Sequence, residues 1–77
     1  MKLWLLERPS ADVDWDETAG YVIRAESEEA ARALASADAT GWNPRGFRAF
    51  ADSALSTCVE LTAEGEPCVI LEDYKAG

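Results

Sequence analysis

The residues best placed to do chemistry stand in one run, Asp12-Val13-Asp14-Trp15-Asp16-Glu17. Asp-x-Asp-x-Asp is how a calcium-binding EF-hand loop begins, but that loop needs a sharply turning glycine at its sixth position and a bidentate glutamate at its twelfth. This chain has Glu17 and Ile23 there, and the match fails. A second chemistry is geometric. Alternate residues of an extended chain project the same way about 6.6 to 6.8 Å apart. Asp12, Asp14 and Asp16 would then form a row of carboxylates whose repeat is comparable in scale to phosphate spacing along a nucleic-acid strand. Such a row fits a basic groove built for DNA or RNA, with Trp15 beside it as an aromatic anchor. The plainer alternative folds Trp15 inward to enlarge a small core and leaves the aspartates facing water.

Other chemistry is scarce. The chain has no histidine, which removes the commonest general base and the commonest metal ligand together. Ser-His-Asp and Cys-His arrangements cannot form within one chain, and no glycine-rich phosphate loop is present. Cys58 and Cys68 do not stand at Cys-x-x-Cys spacing, and two thiolates alone do not close a tetrahedral zinc site. The expectation is a non-enzyme without metal or cofactor. Trp42, Phe47 and Phe50 lie near Arg45 and Arg48. Interleaved aromatic and basic residues can mark nucleic-acid contact, but in so acidic a chain they read better as a lid on the core.

Fifteen acidic against seven basic side chains give a formal charge of -8 over 77 residues. Direct nucleic-acid binding is not expected, because neutralising phosphates needs clustered Lys and Arg. A basic protein surface would be attracted from a distance. Glu64, Glu66, Glu72 and Asp73 form a second acidic patch beside Asp12, Asp14, Asp16 and Glu17. No run approaches the ~18 apolar residues of a membrane span. The opening Met1-Lys2-Leu3-Trp4-Leu5-Leu6 is cut short by Glu7-Arg8-Pro9, so neither a signal peptide nor an anchor is expected. Two cysteines without a secretion signal fit a reducing cytosol, hence a cytoplasmic protein with two buried, free thiols.

The elements that must position these residues follow from the hydrophobic pattern. Residues 2–7 are apolar on both alternating faces, Leu3 and Leu5 on one and Trp4 and Leu6 on the other, as in an inner strand covered on both sides. Pro9 ends it. Residues 10–19 are an acidic loop, and residues 20–25, Gly-Tyr-Val-Ile-Arg-Ala, read as a second strand. Ser27 is an N-cap, with Glu28 and Glu29 in the first turn of a helix that runs to about Asp38. Ala30, Ala31, Leu34 and Ala35 make its apolar stripe, and Glu28 pairs with Arg32 outside. Gly41 stops it. After the loop at residues 42–46, Phe47, Phe50 and Ala51 suggest one short helical turn. Residues 56–62 read as a third strand and residues 67–71 as a fourth, joined in a hairpin at Ala63-Glu64-Gly65-Glu66, with Gly65 free to take positive φ. The expectation is one α+β domain over residues 1–77, a mainly antiparallel four-stranded sheet with one helix packed on one face, ββαββ.

Three segments, residues 2–6, residues 20–30 and residues 56–61 with Val69-Ile70-Leu71, resemble a group of small uncharacterised proteins common in phages and mobile elements. In that group a glycine often stands at the position of Cys68, which implies no functional disulfide. The resemblance implies a phage context, in which short acidic proteins that block host machinery occur, anti-CRISPR proteins among them. The functional expectation is an acidic protein-binding module, a DNA mimic, docking on a basic nucleic-acid-binding surface of a host protein such as a CRISPR effector complex. Asp12, Asp14, Trp15, Asp16 and Glu17 are the candidate contacts, with Glu64, Glu66, Glu72 and Asp73 as the second patch. The alternative is a structural or accessory protein, a homodimer through an exposed sheet edge, whose charge serves solubility.

Overall fold

The computed structural model describes residues 1–9, 13, 18–39 and 45–73, with residues 45–47 described in backbone alone. It is an α+β fold with elements β1 (Lys2–Glu7), β2 (Gly20–Ala25), α1 (Glu28–Asp38), α2 (Arg45–Ala51) and β3 (Thr57–Leu61). The sheet order is β2-β1-β3, and both pairings are antiparallel. β1 is therefore central, as its apolar run implies: Trp4 opposes Ile23 on one side and Glu60 on the other. Gly20 opens β2 opposite Glu7. A Cβ there would lie 2.8 Å from the carbonyl oxygen of Leu6, so a glycine lets the two backbones close at this end of the ladder.

Side-chain alternation divides the sheet into two faces. Trp4, Leu6, Tyr21, Ile23, Ala25 and Cys58 face the helices, where the core gathers around Leu6, Ala31, Ala35 and Phe50. The Tyr21 and Phe50 rings meet edge to face, 5.2 Å apart, an arrangement the ring quadrupoles favour. The Trp4 indole donates to the carbonyl of Ala25 at 3.1 Å, which satisfies its buried N–H. Ser27 caps α1, its hydroxyl accepting from the amide of Ala30 at 3.2 Å.

Several expectations change. The stripe of α1 is narrower and displaced: Ala31 and Ala35 are buried, Ala30 is half-buried, and Leu34 is exposed. The Glu28–Arg32 pair forms at 2.9 Å, but Arg32 lies inside, 9% exposed. Its guanidinium donates to the carbonyls of Phe50 and Ser56 and to the Ser56 hydroxyl, tying α1 to the start of β3. A long stem with a five-donor fork explains the burial, because its donors reach Glu28 on the same helix and three oxygens of Phe50 and Ser56 beyond it. The expected single turn after residue 46 is a seven-residue helix, α2, packed against α1. An Asx turn follows it, in which the amide of Ala54 donates to Asp52 Oδ1 at 2.8 Å.

A further change concerns residues 67–71, which adopt no strand and leave a three-stranded sheet among the described residues. Gly65 does take positive φ, at 135°. Pro67, however, lacks the amide that a ladder on the free edge of β3 would use. Leu71 instead lines a cavity with Leu5 and Val22 of the face turned away from the helices. Cys68 is consequently exposed, Cys58 is half-buried, and both are free thiols. β1 is covered on its outer face only in part, since Leu5 there is buried while Leu3 is exposed.

Candidate partner-binding surface

The acidic loop that sequence singles out, Asp12, Asp14, Trp15, Asp16 and Glu17, lies outside the described residues, as do Gly41, Trp42 and the side chains of Arg45 and Phe47. Its base is described and is firmly held. The amide of Arg8 donates to the carbonyl of Ala19 at 3.0 Å, and the Arg8 guanidinium donates to the carbonyl of Thr18 at 3.1 Å. Arg8 is 7% exposed and stands 6.0 Å from the centre of the Phe50 ring, within reach of a cation–π contact. One buried side chain thus joins the loop's exit to the core. Val13 is half-buried.

The second acidic patch is described and divides in two. Glu64 and Glu66 are exposed on the turn after β3, beside Gly65. Glu72 and Asp73 line a surface cavity of about 390 Å³, where Glu7, Leu5, Val22 and Leu71 also contribute. The ladder register sets these halves at opposite ends of the sheet, because β3 finishes opposite Leu3 while the cavity includes Glu7 and Gly20 at the other end of β1. They are not one cluster. Among the described residues no group of three or more His, Cys, Asp or Glu could hold a metal ion. Phe50, expected as a core lid, is fully buried, whereas Arg48 is exposed.

The electrostatics differ from the composition in a way sequence does not reveal. Every described Asp and Glu side chain is exposed, while two of the arginines, Arg8 and Arg32, are buried. Both guanidinium groups donate to carbonyl oxygens inside the fold, and Arg32 also donates to the Ser56 hydroxyl and keeps its ion pair with the exposed Glu28. Burial raises the Tyr21 phenol above its ordinary pKa, and the hydrogen bond it donates to Asp38 at 3.0 Å adds to the rise. Burial likewise raises the Cys58 thiol, helped by the charge of Glu28 and opposed by Arg32.

Sequence reasoning missed the outer face of the sheet. Leu3, Leu5, Val22, Val59 and Leu61 share it by register, and only Leu5 among them is buried. The alternation of Val22 and Arg24 with Tyr21 and Ile23 is the signal for two distinct faces. No helix among the described residues is long and apolar enough to cross a membrane. Comparison with known protein families, with curated proteins and with solved structures finds no match to this chain.

Proposed function

We propose that this chain is an acidic protein-binding module that docks on a basic, nucleic-acid-binding surface of a host protein and blocks it. A phage-borne inhibitor working in the host cytoplasm, with a CRISPR effector complex as its most concrete target, is the specific form of this reading. The observation that carries it is the sorting of charge: exposed carboxylates throughout the described residues, with Arg8 and Arg32 taken into the interior. An outward negative field steers a basic partner and speeds encounter.

Asp12, Asp14 and Asp16 are the principal contacts, Trp15 their anchor and Glu17 their neighbour, with Glu64, Glu66, Glu72 and Asp73 contributing to the field. The test is a pull-down from bacterial lysate at low and high salt, read by mass spectrometry, with wild type and with the three aspartates changed together to Asn. A nucleic-acid-binding protein captured at low salt, released by salt and lost in the triple variant is the expected result. A folded triple variant that retains the same partner with the same salt dependence removes the mimic reading.

A further inference from the structure

The outer face of the sheet combines three properties that together define an occupant. It is apolar, built from Leu3, Leu5, Val22, Val59 and Leu61, and Val22 and Val59 at its middle are 53% and 55% exposed. Leu5 between them is already buried, so the exposed apolar surface, of a kind that marks interaction sites, lies on the flanking valines and on Leu3. It has a definite width. Three strands span two spacings, about 9.4 to 9.8 Å, close to the ~10–12 Å diameter of an α-helix with its side chains. Its border carries three carboxylates at one end, where Glu7, Glu72 and Asp73 share a cavity with Leu5, Val22 and Leu71; Arg8 also lines that cavity, with its guanidinium donating to the carbonyl of Thr18. Arg24 lies on this face at the other end, opposite Leu3.

We infer that this face is the docking site for an amphipathic helix of a partner protein, apolar on the side laid across the strands and basic on the flank that meets Glu7, Glu72 and Asp73. The inference rests on the acidic-module reading and gives it an apolar anchor. α1 and α2 cover the opposite face, so the incoming helix adds a third layer over a face on which Leu5 is buried but Leu3, Val22 and Val59 are open. Charge selects the partner over a second copy of the chain. At a formal charge of -8 per chain, two acidic borders brought together repel, whereas a basic helix is attracted.

The probe is a leucine–lysine peptide patterned to place its leucines on one helical face, compared with a peptide of the same composition in shuffled order. Titration calorimetry gives affinity, and amide chemical shifts give location. The patterned peptide is expected to bind more tightly and to shift the amides of Leu3, Val22, Val59 and Leu71. Val22→Glu with Val59→Glu adds negative charge while removing apolar surface, so the sign of its effect decides. Docking on the face predicts affinity falling about ten-fold or more, whereas charge alone predicts affinity rising. Should the Glu pair not fold, Val22→Thr with Val59→Thr keeps β-branching and is expected to weaken the patterned peptide without affecting the shuffled one. Equal binding of both peptides, with the Glu pair binding tighter, overturns the docking face and leaves the acidic module standing. Binding of neither peptide overturns both. A dimer in sedimentation, closed over Val22 and Val59 in the absence of peptide, overturns the choice of a basic helix.

Discussion

The two faces of the sheet are made from the same three strands, yet they differ in everything except backbone. The face toward the helices carries aromatic and small side chains, Trp4, Tyr21 and Ala25 among them, and is sealed by Ala31, Ala35 and Phe50. The outer face carries only aliphatic residues at its middle, with Leu5 buried and Val22 and Val59 open. Small residues on α1 let the helix approach closely on one side. On the other side Leu71 of the returning segment shares a cavity with Leu5 and Val22, and Leu3, Val22 and Val59 stay exposed. Alternation decides which side chains share a face, and the partner elements decide whether that face is a core or a surface.

The strongest way to break the contrast is to remove the largest fully buried side chain, Phe50. Phe50→Ala is expected to cost about 3–5 kcal/mol, measured by denaturant unfolding, and a cost below about 1 kcal/mol would mean that the helix-covered face is not the core. Next comes Arg32→Leu. It leaves the carbonyls of Phe50 and Ser56 without their guanidinium donor, and a loss of about 1–3 kcal/mol is expected. Unchanged stability would show that the guanidinium links are dispensable. On the outer face, Val59→Thr is expected to shift stability by no more than about 0.5 kcal/mol; a loss comparable to that of Phe50→Ala would show that this face is covered within the chain.

The thiols sharpen the same comparison with the smallest effect. Cys68 is exposed and Cys58 half-buried, so iodoacetamide is expected to label Cys68 first, read by intact mass. The Cys58 thiol is raised by burial and by Glu28, so its labelling rate climbs only above the ordinary thiol range of pH. Removing the negative charge with Glu28→Gln favours the thiolate and moves that profile to lower pH. A profile that moves upward would contradict the assignment.

Much of this architecture is legible in the chain. Leu3 to Leu6, apolar in both alternating sets, marks a central strand, and β1 is central. Ser27 followed by two glutamates marks a helix start, and Ser27 caps α1. What sequence hides depends on distant partners. Arg32 reads as a solvent-facing member of an i,i+4 pair because arginine is seldom buried, and the oxygens that draw it inward belong to residues 18 and 24 positions away. Residues 67–71 have strand composition, but composition does not say whether an edge will accept them, and Pro67 is poorly suited to that edge. The acidic loop is conspicuous in sequence, while the open sheet face becomes visible only once the register is known.

The placement of β1 also bears on how the chain is made. The strand at the middle of the sheet precedes both of its neighbours in the chain, and its second neighbour arrives far later, as the Thr57 hydroxyl donating to the carbonyl of Glu7 across fifty residues illustrates. A nascent chain that has emerged through α2 can pair β1 with β2, but it must hold Leu3-Trp4-Leu5-Leu6 as an unprotected edge until β3 leaves the ribosome. Such edges invite pairing between chains. Stalled or truncated products ending before Thr57 are therefore expected to aggregate or to recruit holdase chaperones, and translation speed through residues 45–61 becomes a determinant of yield.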